Sequence, residues 1–143
     1  GFFLRAESFF NFATELERLP YLRYYGGRSL HEQSHGESFL AVVLHRFEPG
    51  GLYLLDEPEA ALSVRGCMAL LSRLVQLVED GSQIVVATHS PILLALPGTT
   101  ILEIDDDGEI TRVGFDEALP VRLTRAFLGA PERMLRHLLD EPG

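Results

Sequence analysis

Leu52-Tyr53-Leu54-Leu55-Asp56-Glu57-Pro58-Glu59-Ala60-Ala61-Leu62-Ser63 is the stretch on which the reading of this chain turns. Four apolar residues suit a strand in the middle of a sheet, and Asp56-Glu57-Pro58 closes that strand with two adjacent carboxylates. Side chains alternate along a strand, so the two carboxylates point in opposite directions and can do two jobs. Asp56 suits a magnesium ion, usually held through water, and Glu57 suits the polarisation of an attacking water. The plain alternative is a solvated acidic turn, which a bare Asp-Glu pair would deserve; the full string is much rarer.

Working outward, Val64 to Val78 places Met68, Leu71, Leu74, Val75 and Val78 along one helical face, with Gly81 as the C-terminal stop. Gln83-Ile84-Val85-Val86-Ala87 is a second buried strand, ending in Thr88-His89-Ser90-Pro91, where Ser90 suits an N-cap and Pro91 the first helical position. Strand, helix, strand is a βαβ unit; its right-handed crossover makes the strands parallel, and open parallel sheets bind ligands at the strands' carboxyl ends. Upstream, Ser38 to Phe47 reads as a buried helix closed by Pro49-Gly50-Gly51, and Ala6 to Leu19 as an amphipathic helix stopped by Pro20. Between them lie a Tyr/Gly loop and a polar stretch, Ser29 to Glu37. Downstream, Ile101–Ile104 and Glu109–Val113 flank Asp107-Gly108 as a hairpin, and helices near Val121–Leu128 and Pro131–Leu139 finish the chain. The class is α/β, and residues 1–143 form a single partial domain, the C-terminal part of a larger one.

The composition of the 143 residues, 46% hydrophobic and 23% charged, is that of a globular domain. The longest apolar run, Phe39 to Leu44, is far short of the ~20 residues that cross a bilayer. No signal peptide is legible at Gly1-Phe2-Phe3-Leu4, and one cysteine, Cys67, fits a reducing cytoplasm. Twenty-one acidic residues face 12 basic ones, a net charge of −9, which argues against broad binding to nucleic acid or an anionic membrane. All 12 basic residues are arginine, so Schiff-base chemistry and the lysine of a phosphate-binding P-loop are both excluded from this stretch.

Three elements, taken in order, resemble the ATP-binding-cassette type of P-loop ATPases, in the non-transporter AAA/ABC-like branch related to chromosome-maintenance and recombination proteins. Ser34-His35-Gly36-Glu37-Ser38 resembles the signature loop, Leu52 to Glu57 the Walker B strand with Glu59 to Ser63 as its D-loop, and Ile84 to Pro91 the switch-histidine strand. The likeness spans roughly Leu30 to Leu96, with Arg5 to Phe10 a less specific part of it. It implies a P-loop NTPase fold that binds ATP and magnesium, closes as a homodimer and opens on hydrolysis. In that scheme Asp56 is linked to the metal, Glu57 is the general base and His89 senses the γ-phosphate. Ser34, Gly36 and Glu37 contact the nucleotide of the other subunit. The residues agree with this, since Ser34 and Gly36 sit just ahead of an apolar helix, where free N–H groups favour an anion.

The sequence departs from the family pattern in three places. His35 stands where glycine is common, and Ser63 where the D-loop has aspartate. No Gly-x-x-x-x-Gly-Lys-Ser/Thr is present, and Gly26-Gly27-Arg28-Ser29 has the wrong spacing and an arginine, so the P-loop is expected in a preceding segment. These residues alone are therefore expected to bind ATP poorly. A non-catalytic interaction module derived from such an ATPase is the first alternative. The second is a zinc metallopeptidase, because His31-Glu32-Gln33-Ser34-His35 matches His-Glu-x-x-His; that motif needs a continuous helix, and Gly36 follows at once. Cys67 reads as inert packing, Asp105-Asp106-Asp107 as a solvated turn, and Arg5 and Glu7 receive no role.

Overall fold

The computed structural model describes residues 1–5, 24–25, 28–29 and 35–140. They divide into two compact units, Gly1–Leu96 and Pro97–Gly143.

The first unit is built on a parallel sheet with the order β1 (Phe2–Arg5), β4 (Leu52–Asp56), β5 (Gln83–Ala87). The short strands β2 (Tyr24–Tyr25) and β3 (Arg28–Ser29) pair antiparallel with each other, so Arg28 and Ser29 belong to a hairpin. The β4–β5 crossover runs through α2 (Val64–Glu79), the βαβ unit that the alternation of apolar runs predicts. Strand β1 is an element that sequence patterning missed. Phe2-Phe3-Leu4 is too short to show a period, and its strand character comes from pairing with β4, Phe2 opposite Tyr53 and Arg5 opposite Asp56.

One face of this sheet is covered. Leu4, Tyr53 and Leu55 share a core with Phe39, Val42, Val43 and Phe47 of α1 (His35–Arg46) and with Cys67, Leu70, Leu74 and Leu77 of α2. Each large aliphatic side chain removed from water there contributes about 1.5–3 kcal/mol. Leu93 of the short helix α3 (Pro91–Leu94) closes the cluster. The other face is left open by the described residues: Phe3, Leu54 and Val85 lie abreast on the three strands and all are exposed, with Leu52 beside them.

Several expectations shift here. The two strands alternate between covered and exposed positions instead of being buried throughout, because the described helices of the first unit pack on one side. On α2 the buried stripe is Cys67, Leu70, Leu74 and Leu77, and the expected Met68 and Val78 are exposed. The apolar arc covers about half of the helix circumference, wider than the stripe the core takes up, so the expected stripe sits toward one edge of that arc and packing selects the part that is buried. Ser63, out of place for a D-loop aspartate, is the N-cap of α2 and accepts from Gly66 N at 3.0 Å. Helix α1 begins at His35, three residues before the expected start.

The second unit pairs β6 (Ile101–Ile104) with β7 (Ile110–Val113) in the expected hairpin, followed by α4 (Leu119–Gly129) and α5 (Pro131–Asp140). Asp105 Oδ1 accepts from the backbone N–H of Asp107 and Glu109, so this carboxylate holds its own turn. Glu103 accepts from Leu119 N at 2.8 Å, supplying the helix start with an acceptor that Ala118 lacks. No described helix is long and apolar enough to cross a membrane.

Tyr53 shows how tightly the first core is specified. Its ring stacks on Phe47 with centroids 4.1 Å apart, and its hydroxyl donates to Glu48 O at 2.7 Å while accepting from Glu48 N at 2.6 Å. A Cβ on Gly51 would lie 2.6 Å from the Tyr53 ring. Gly51→Ala is therefore expected to cost about 1–3 kcal/mol by overpacking, read as a lower urea midpoint by far-UV circular dichroism. An unchanged midpoint would show that the ring yields freely.

Candidate functional site

The carboxyl edge of the three-stranded sheet gathers the charged groups. Asp56 ends β4, with Arg5 as its register partner on one side and Ala87 on the other. Arg5 Nε donates to Asp56 Oδ2 at 2.7 Å, a link between residues 51 apart in sequence. Both side chains reach solvent, so the pair is worth little as stabilisation and matters for where it holds the carboxylate.

The next residue leaves the strand. Glu57 N donates to Ala87 O at 2.8 Å, continuing the ladder by one bond, while its backbone turns left-handed, φ 47°, ψ 52°. A non-glycine residue held there costs on the order of 1–3 kcal/mol and persists only where its surroundings impose it. Pro58, fully buried, follows it and opens the 3₁₀ turn Pro58–Ala61. Glu57 is thereby turned outward, half exposed, with Oε1 3.6 Å from Nε2 of His89. That is too long for a hydrogen bond, and with both side chains exposed the contact is weak in water and matters for where it places the two groups. His89 follows β5, exposed, beyond Thr88. The two strand ends thus bring Asp56, Glu57 and His89 together.

The remaining sequence-derived candidates fare differently. Ser34 lies outside the described residues, as do His31 and Glu32 of the zinc-helix motif. Gly36 and Glu37 lie within the first turn of α1, which corrects the expectation that Gly36 precedes the helix; the polar residues before the apolar run supply that extra turn. Among the described residues no group of three or more His, Cys, Asp or Glu side chains is placed to hold a metal. Asp56 offers a carboxylate as the last residue of the strand. Such an arrangement fits magnesium, which keeps waters and phosphate oxygens and needs one or two carboxylates, and does not fit an all-protein cage.

Sequence reasoning placed Glu59 at the start of the D-loop and gave it no contact of its own. It accepts from Thr88 Oγ1 and from His89 N, binding the turn after β4 to the loop after β5. The available signal was a carboxylate two residues beyond Glu57 in a chain that pairs a threonine with the following histidine. Ser90 N in turn donates to Thr88 Oγ1, and Ser90 caps α3 as expected.

Behind this loop, burial pushes the Cys67 thiol above its ordinary value; the nearby Glu59 charge adds to the rise and a hydrogen bond with Ser90 opposes it. The thiol is therefore neutral and shielded. Native protein is expected to react with a thiol reagent on the order of 100-fold slower than urea-unfolded protein, since access requires an opening of about 3 kcal/mol or more. The unfolded thiol loses its proton first, so this group makes native stability fall as pH rises past about 9. Urea titrations of the natural chain and Cys67→Ala over that range should differ in slope; identical slopes would remove the effect.

The model of the family described as "AAA domain, putative AbiEii toxin, Type IV TA system" matches residues 23–95, just over half of the chain. That span takes in β4, the carboxylate turn, β5 and the histidine loop. No curated protein matches the chain. With its parallel sheet, flanking helices and charged strand ends, the chain belongs to this AAA-domain family of P-loop ATPase folds.

Proposed function

We propose that this domain supplies the hydrolytic side of an ATPase site, with Glu57 as general base and His89 as the group that senses the γ-phosphate. The observation that carries the reading is the 3.6 Å approach of Glu57 Oε1 to His89 Nε2 at the carboxyl ends of adjacent parallel strands, beside Asp56. Neither side chain belongs to the core, and a left-handed glutamate backbone is retained to place one of them.

In this reading a water attacks the γ-phosphorus in line with the leaving oxygen, and Glu57 accepts its proton. His89 donates from Nε2 to a γ-phosphate oxygen, so its contact with Glu57 depends on whether that phosphate is present. Magnesium would be held by Asp56 through water and would neutralise charge building on the transferred group. Catalysis then rests on positioning and charge stabilisation, as phosphoryl transfer generally does. Ser34, Gly36 and Glu37 would meet the nucleotide of a second copy, making the closed state a homodimer around ATP. The phosphate-binding loop, which these residues do not contain, would come from elsewhere in the protein. The open apolar face of Phe3, Leu54 and Val85 supports this, because parallel sheets are ordinarily covered on both sides.

Glu57→Gln in the full-length protein is the direct test. ATP affinity should be retained and turnover should fall about 10²–10⁴-fold, the usual contribution of a general base. Normal turnover would remove Glu57 from the mechanism. A calorimetric titration of the same protein with ATP and magnesium that gives no heat would favour the non-catalytic interaction module, a reading that the absence of any lysine keeps in play.

A further inference from the structure

His89 is the most exposed member of the site, 85% accessible, and its ring lies outside the hydrophobic core. Its place is set by its backbone, and that backbone is held by one carboxylate. Thr88 Oγ1 lies 2.8 Å from Glu59 Oε1 and 2.7 Å from Oε2, and His89 N donates to Oε2 at 2.8 Å. The threonine hydroxyl has one proton, which it gives to either oxygen of Glu59, and a lone pair left over to accept Ser90 N at 3.0 Å. Three consecutive residues are therefore tied, directly or through Thr88, to a side chain on another strand's turn. Hydrogen bonds to an ionised acceptor are roughly twice as strong as neutral ones. The turn is itself closed by Leu62 N donating to Glu59 O at 3.0 Å and Ala60 N to Glu57 O at 3.0 Å, so Glu57 and Glu59 belong to one hydrogen-bonded turn.

We infer that Glu59 is a positioning residue: its carboxylate clamps Thr88–Ser90 to the Glu57 turn and thereby sets the gap between Glu57 Oε1 and His89 Nε2. The kinetic consequence rests on the reading of His89 given above; the clamp itself does not. A glutamine at 59 keeps one carbonyl oxygen for His89 N but brings an N–H₂ group toward Thr88, so it preserves half of the arrangement. Alanine preserves none.

The test uses the full-length protein with Glu59→Ala, Glu59→Gln, His89→Ala and the Glu59→Ala/His89→Ala pair. Hydrogen–deuterium exchange over residues 84–92 reads the clamp, and ATP turnover reads its use. For Glu59→Ala, exchange at 88–90 should speed up about 10-fold or more, as expected for a loop moved to the weakly held end of the stability range. Its kcat should fall about 10–100-fold with KM within about twofold, since misplacement by an ångström can cost 100-fold. Glu59→Gln should fall between. The double variant should turn over no more slowly than His89→Ala alone, because the clamp acts through that ring. Thr88→Val gives a second route to the exchange result if Glu59→Ala does not fold. Unchanged exchange in these variants, or losses that multiply in the double variant, would overturn the inference. Wild-type turnover in His89→Ala would instead overturn the role of His89, with the exchange result still deciding the clamp.

Discussion

Parallel pairing of β4 between β1 and β5 sets everything else in the first unit. The register that puts Leu55 between Leu4 and Val86 on the covered face also puts Asp56 between Arg5 and Ala87 at the edge. A slip of one residue would turn Tyr53 and Leu55 out of the core and Leu52 and Leu54 into it, so the hydrophobic core fixes the register and the register fixes the charged groups. Arg5 reaches Asp56 for that reason alone; the two residues are separated by most of the unit's sequence.

Once the strand ends are aligned, the turn after Asp56 divides three carboxylates among three environments. Asp56 is held by an arginine, Glu57 is thrown toward solvent by a left-handed backbone, and Glu59 is turned back onto the loop after β5. Pro58 makes the division possible. It is buried like a core residue and has no N–H to satisfy, so it opens a tight turn in a place where another residue would leave a donor stranded.

Much of this was legible in the sequence. The two apolar runs, the helix between them, the hairpin at Asp107-Gly108 and the Ser90-Pro91 helix start all follow from local periodicity and turn chemistry, which are short-range signals. What escaped was set by partners. Strand β1 is defined by β4, the buried face of α2 by the sheet beneath it, and the open face by what does not cover it. For the candidate site, Asp56, Glu57 and His89 stand out in the sequence because they end two apolar runs, and the parallel register sets those ends side by side. Glu59 was hidden because a glutamate in an acidic turn looks solvated until Thr88 is seen to face it. Cys67, read from the sequence as a packing residue, is buried in the core stripe.

Charge explains why such an edge makes sense as one part of a site. Asp56, Glu57 and Glu59 crowd the strand ends of a chain that carries −9 overall and has no lysine, and a triphosphate brought there unaccompanied would be repelled. Carboxylates of this kind favour protons leaving water and cations arriving; they do not attract the anion itself. In the proposed reading, the binding energy for ATP must therefore come from cationic and N–H groups beyond this edge, and the edge contributes only once phosphate and cation are in place. Separating attraction from chemistry in this way makes the second depend on the first: in the proposed reading, water is activated only once a cation and cationic groups have offset the carboxylates and let the phosphate settle beside them.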